Sequence, residues 1–411
     1  MRIATANIFD QTIAGLQNRQ TSMQTAQEQL TSGLRVQVAS DDPTSAAIAE
    51  RAQAAANRVD SDTRALNASQ ANMTAAESVL GSADDLMQQI REALVQAGDG
   101  TYGDSQRAQQ ANAIQGLRNQ LLALANTQDG SGTYLFGGQG SGGSPFLDGP
   151  NGVTFHGTSG QSQTGQINTY NMTVDGQQAW MGARNGNGSF VTAAGTNANT
   201  GAPVQGWIDS GTVTNPTALT GDNYTIAISG NAPNATYTVT NTTTGAQPAS
   251  GSFTPGQTLQ FDGMSTTISG NPLDGDTFTV SPPVNNLSVF DVLDKAIAAL
   301  KPQAMGMTSD QRNAQVQQTV SSAVRDLDAS MSNIEGVRSL VGTQLANLQN
   351  ASSQNASLKL LNQTAQSNAE DLDMTQGISN FQNQQSGYQA ALQAYASVQK
   401  MSMLQYINIS Q

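Results

Sequence analysis

Three residue patterns in this 411-residue chain have the types and spacing to do chemistry. Gly138, Gly140 and Gly143 satisfy G-x-G-x-x-G after the strand-like run TYLF at Thr133–Phe136. In a dinucleotide site such glycines let the backbone turn against a pyrophosphate, and a helix N-terminus follows to hold it. Here Ser144, Pro145 and Phe146 follow and no helix begins, so the pattern reads as a turn or hairpin exit. His156 is the only histidine, which leaves a zinc site or a histidine-based triad without partners. Asp274 and Asp276 in LDGDTF suggest a calcium loop, but the closing glutamate of such a loop is missing, and a turn into a strand fits better. The chain has no cysteine, which excludes disulfides, thiolate metal ligands and cysteine nucleophiles. The expectation is a protein without catalytic residues, cofactor or metal.

Bulk composition narrows the partners. Only 11% of residues are charged, against about 25% in an average soluble protein. The net charge of −13 argues against a nucleic-acid partner. The absence of a basic amphipathic stretch argues against a membrane surface. No apolar run approaches the roughly 18 residues of a membrane span. The first residues, MRIATANIFDQTIAG, lack the apolar core of a secretory signal, so any export is expected to use a route without a cleaved signal peptide. Asn-x-Ser/Thr triplets at Asn67, Asn171, Asn234 and Asn355 arise by chance in a chain this rich in those residues, and do not argue for glycosylation.

With no chemistry to position, the elements themselves become the subject. Phe9, Leu16, Met23 and Leu30 fall seven residues apart, and so do Met374, Phe381, Tyr388 and Tyr395, with Leu392 beside the last two. From Met374 to the end the only charged side chain is Lys400. An apolar seam at this period asks for a partner helix, and an uncharged helix surface suggests neighbours on more than one side. Further in, Val59, Leu66, Met73, Leu80, Met87 and Leu94 form a second series, mirrored by Val320, Leu327, Ile334, Val341 and Leu348. These predict two long inner helices, which read as ordinary bundle core. Shorter helices are expected near Ser105–Asn126 and Leu287–Leu300. Between Gly140 and Asn285 lie 24 of the 40 glycines and 10 of the 12 prolines, with alternating runs such as YTIAIS (Tyr224–Ser229) and DTFTV (Asp276–Val280). That is the pattern of an all-β region, in one part or two.

The expected fold is therefore mainly α with a β insertion. A long antiparallel helical bundle or coiled coil forms from both ends, and a central sandwich-like β domain interrupts it. The expected divisions are 1–40 with 371–411 as the terminal pair, 41–139 with 286–370 as the inner bundle, and 140–285 as the β domain. Gly33 breaks the first helix; Asp42 is a good N-cap, Pro43 suits the first helical position, and Asp41 adds negative charge at the helix's positive end. Residues 33–40 then read as a hinge. Both ends are expected to be poorly ordered in the free monomer and to order on assembly.

The stretch LTSGLRVQVASDDPTSAAIA, Leu30–Ala49, resembles the N-terminal motif of the bacterial flagellin superfamily. Pro43 stands where flagellins usually have alanine, which brings the motif closer to the hook–filament junction branch, the FlgL or hook-associated protein 3 type. The C-terminal segment Glu370–Ile407, with its YQAAL and closing L-x-Y-I, resembles the same branch. So do GTYLFGG (Gly132–Gly138) followed by SPF (Ser144–Phe146), while Phe253–Pro283 is similar to a β module of hook-associated proteins.

The resemblance implies a non-enzymatic structural adaptor, located outside the cell at the hook–filament junction. It implies partners of three kinds: a FlgK-type hook-associated protein, flagellin, and neighbouring copies in a ring. It implies export by the flagellar type III apparatus after capture by a cytoplasmic FlgN-type chaperone. MQQIREALVQ (Met87–Gln96) resembles the flagellin stretch read by a host innate receptor, but Gln89 replaces the arginine of receptor-active flagellins, which argues against recognition. Two other readings are a divergent flagellin that forms the filament itself and an extracellular β adhesin module on a helical stalk.

Overall fold

Seven-residue apolar series and turn-rich alternation sort the chain into helices outside and strands between, in a computed structural model. It describes residues 2–140, 142–302 and 306–407 and, within them, the side chains of residues 10–400. In chain order the helices α1 (Arg2–Ser32), α2 (Pro43–Ala97) and α3 (Asp104–Ala125) come first. Two hairpin-like pairs follow, β1 (Phe146–Gly149) with β2 (Gly152–Phe155) and β3 (Gln163–Thr164) with β4 (Tyr170–Asn171). Then come α4 (Gly176–Met181), β5 (Val191–Asn197), β6 (Gly206–Ile208), β7 (Thr212–Val213), β8 (Tyr224–Ser229), β9 (Thr236–Asn241), β10 (Ala249–Ser252), β11 (Thr258–Phe261), β12 (Met264–Gly270) and β13 (Asp276–Ser281). The chain returns through α5 (Val289–Leu300), α6 (Ser309–Glu370) and α7 (Met374–Ile407). It divides into two compact units, one of residues Met1–Arg64 with Ala351–Gln411, the other of Ala65–Asn350.

In the second unit the inner seams do what their spacing requires. Leu66, Met73, Leu80, Met87 and Leu94 of α2 are fully buried, as is Leu327 of α6, with Ile334 and Val341 nearly so. Each such side chain contributes about 1.5–3 kcal/mol by leaving water. The helices run antiparallel, since Glu77 pairs with Arg338 and Arg91 with Asp328, each at 2.7 Å. These half-exposed ion pairs flank the seam and set its register more than its stability.

The β region forms a sandwich-like core. A five-stranded antiparallel sheet runs β10-β9-β8-β13-β5, and a smaller one runs β11-β12-β6 with β7 also on β12. Alternation aims Tyr224, Ile226 and Ile228 inward from β8, where Ile226 lies opposite both Val239 and Phe278. Leu259, Ile268, Ile208 and Phe253 fill the same core.

The stretch before this sandwich is not wholly β, as its glycine content had suggested. The short helix α4, capped by Asp175 accepting from the Gln178 amide, inserts Trp180 into a ring cluster with Phe136, Phe146 and Phe290. The strand-poor residues 126–188 thus pack around aromatics rather than in a sheet. Gly176 is required there, because a β-carbon would lie 2.1 Å from the Phe136 carbonyl oxygen.

Arg118 of α3, 2% exposed, ties three elements together. It donates to both carboxylate oxygens of Asp148 at β1 and, at 2.9 Å, to Asp294 of α5. The two carboxylates, Asp148 first, hold its guanidinium pKa above the ordinary value against the opposing effect of burial. Arg312 closes α5 similarly, donating to the carbonyls of Ala299 (2.6 Å) and Lys301 (2.9 Å), a cation at a helix C-terminus. Replacing Arg118 by methionine is expected to destabilise the protein by about 2 kcal/mol, less than for a fully buried pair because both carboxylates can rehydrate. Urea unfolding followed by tryptophan fluorescence checks this, and an unchanged midpoint would contradict it.

Candidate functional site: the paired terminal helices and their clasp

α1 and α7 pack on one another within the first unit. Their sequences supply long runs of Gln, Asn, Ser, Thr and Ala, with few charges to oppose close approach. Leu16, Met23 and Leu30 are half-buried on α1, together with Ile13 and Ala26. Phe381, Tyr388 and Tyr395 are half-buried on α7. The side chain of Phe9 lies outside the described residues. Met374 (48% exposed) and Leu392 (42%) are not brought into the pair, and Ile378 stays open beside Met374. The reason is local. Asp373 caps α7 by accepting from the Thr375 and Gln376 amides, and Leu372 fills the place beside Leu30. Both leucines press on buried Gly377, where a β-carbon would lie 2.7 Å from Leu372 Cδ2 and 3.1 Å from Leu30 Cδ2. Among the described residues of α1 and α7, no apolar side chain larger than glycine is fully buried.

The linker after α1 is built from its capping residues. Gly33 ends the helix at φ +74°, a conformation that favours glycine, and its amide donates to the Gln29 carbonyl. Asp41 Oδ2 accepts from the Gln37 and Val38 amides, both at 3.1 Å, and folds the linker onto itself. Asp42 Oδ1 accepts from the Thr44 and Ser45 amides at 3.2 and 3.1 Å, and Pro43 opens α2. Hydrogen bonds from Ser45, hydroxyl first, and from Arg35 pull the Asp42 carboxyl from 3.8 down to about 2.

The two linkers are joined. Leu34 bridges Asp371, the Leu372 amide donates to the Gly33 carbonyl at 2.8 Å, and the Arg35 amide donates to the Glu370 carbonyl at 2.6 Å. The Arg35 guanidinium donates to Asp42 Oδ2 (3.2 Å), the Ser45 hydroxyl (3.1 Å) and the Ala369 carbonyl (2.7 Å). Sequence reasoning singled out Gly33, Asp41, Asp42 and Pro43 but missed Arg35. The available signal was a lone cation between a helix stop and two aspartates.

The patterns first suspected of chemistry are all occupied by structure. A β-carbon on Gly138 (φ +68°) would lie 1.8 Å from the Thr158 carbonyl oxygen, so this glycine serves a close backbone crossing. His156 Nε2 lies 3.0 Å from the Thr154 hydroxyl. Asp276 is buried, bonded to Asn197 and to the amides of Gln205 and Leu273, while Asp274 accepts from the Gly230 amide. Among the described residues no group of three or more His, Asp or Glu side chains is placed to hold a metal. Asn355 is 2% exposed and donates to Asp62 of α2 at 3.1 Å, which leaves it no room as a glycan acceptor.

Residues 3–141 match the bacterial flagellin N-terminal helical region. Flagellar hook-associated protein 3 of Salmonella typhimurium is 26% identical over 405 residues, 98% of this chain and 99% of its own length. This chain resembles hook-associated protein 3 along nearly its whole length. The crystal structure of Xanthomonas campestris FlgL superposes with a TM-score of 0.67 at 26% identity, over 78% of this chain and 99% of that one. The flagellar junction protein FlgL from Legionella pneumophila gives 0.63 at 27% identity, over 72% and 96%. The terminal helices and their clasp, rather than any pocket, are the candidate site.

The Asp42 carboxyl gives that clasp a pH dependence whose sign is fixed. Its folded pKa lies below the unfolded value, so its contribution is complete above about pH 4 and is lost as pH falls through about 2. An Asp42→Asn variant is expected to lose this dependence while keeping the cap. Carboxyl NMR titration of both proteins checks it, and an ordinary titration of Asp42 near pH 4 in the wild type would contradict it.

Proposed function

We propose that this chain is a structural adaptor of the bacterial flagellum, joining a hook-associated FlgK-type layer to the flagellin filament by packing of its terminal helices. The observation that carries the proposal is the likeness to flagellar hook-associated protein 3 along 98% of the chain. That likeness, like the junction protein from Legionella, favours the adaptor over a divergent flagellin or an adhesin on a stalk. The chain acts as a shaped part and not as a catalyst.

The terminal geometry supports this mode of action. A helix pair whose seam is only half-buried has apolar area left to give to neighbours, and Gln and Asn can rearrange their hydrogen bonds there without desolvating a charge. Among the described residues of α7, Met374, Ile378 and Leu392 are the open large apolar side chains. Contacts to layers above and below are heterologous, since different faces of the adaptor must meet different proteins. Neighbouring copies complete a ring, and a FlgN-type chaperone holds the C-terminal region before export through the type III apparatus, without a cleaved signal.

Two experiments test the reading. Deleting residues 375–411 is expected to abolish filament attachment in cells lacking their own junction protein, while near-UV circular dichroism of the purified variant retains the signal of the packed aromatic core. Normal attachment by the deleted protein would sink the proposal. In the free monomer, amides of residues 10–30 and 378–400 are expected to exchange at least about tenfold faster than those of Leu66–Leu94. Equal protection in the two regions would contradict ordering on assembly.

A further inference from the structure

Arg35 stands where four helix ends come together in the first unit. Its carbonyl accepts from Gln29 Nε2 of α1 at 2.9 Å, and its amide donates to Glu370 at the end of α6. Its guanidinium reaches Asp42 and Ser45 at the start of α2 and the Ala369 carbonyl of α6. The neighbouring Leu372–Gly33 hydrogen bond connects the entry to α7. We propose that Arg35 is the positioning residue of the terminal pair: it holds the α1–α2 linker against the end of α6, and thereby sets the direction in which α1 and α7 are presented to neighbouring subunits. The inference rests on the adaptor reading.

Little else at this place can set that direction. Among the described residues of the two linkers and the turns flanking them, Val36 and Ala369 are the fully buried apolar side chains near Arg35, and both are small. The bridge between Leu34 and Asp371 is isolated, and so short a pairing is marginal in water by itself. The α1–α7 seam is half-buried and can slide at low cost, because Gln, Asn and Ser offer alternative partners along its length. A planar guanidinium with two donating nitrogens satisfies three acceptors on two helices at fixed angles. A lysine ammonium at the same place is a point charge that cannot span them. The role therefore depends on the shape of the group and not on its charge.

Full-length Arg35→Ala and Arg35→Lys variants test this by amide hydrogen exchange and by filament attachment in cells lacking their own junction protein. Both variants are expected to exchange the Arg35-position, Val36 and Leu372 amides about tenfold faster or more, with rates along Leu66–Leu94 unchanged. Both are expected to lose filaments. Wild-type rates at the clasp, or full recovery by lysine, would overturn the proposal. So would equal acceleration along α2, since the effect would then be general destabilisation, and so would normal attachment despite a loosened clasp. If the wild-type chain itself fails to hold filaments, the adaptor reading falls, and the exchange measurements alone decide whether Arg35 pins the clasp.

Discussion

A seven-residue apolar period that must be buried is the constraint from which the rest of this molecule follows. One helix of this kind cannot hide its seam alone, so the chain has to return antiparallel to itself. The return brings Glu77 opposite Arg338 in one unit and Asp60 opposite Lys359 in the other, with the same sense in both. Once α2 and α6 run in opposite directions, the end of α6 must arrive at the start of α2. The linkers that leave them then have no choice but to meet, and their pairing through Leu34 and Asp371 is the visible result.

Charge is used sparingly and in places where it is answered. Arg118 and Arg312 are nearly buried, and each is surrounded by carboxylates or helix-terminal carbonyls, so neither is left as an uncompensated cation. Helix α7 follows the opposite policy, with Lys400 as its only charged residue, while α1 keeps Arg2, Asp10, Arg19 and Glu28. An uncharged surface such as that of α7 can be covered without a desolvation penalty for charge, at some cost in solubility when uncovered.

How much of this was legible in the sequence depends on how local the signal is. The buried seams of α2 and α6 could be read residue by residue, because period and burial are the same fact seen twice. The caps at Gly33 and Asp42 were equally local: a residue free to adopt positive φ, and a short carboxylate before a proline. Arg118 was invisible, since its partners lie 30 and 176 residues away and no spacing rule connects them. Arg35 was half legible: Asp42 and Ser45 lie 7 and 10 residues on, but Ala369 is 334 positions distant. Met374 continues the seven-residue series, yet it stays 48% exposed beside the Asp373 cap. Helix α4 was missed because six residues are too few to show a period, and glycine content spoke louder.

The pairing of α1 with α7 also orders events in time. Closing it brings together residues at opposite ends of the chain, the most entropically expensive contact the topology contains. The hairpins, the sandwich and the helices α3 and α5 rely on partners far nearer in sequence, and can form while both ends are still loose. A chain organised in this way can complete its middle before its two ends have met.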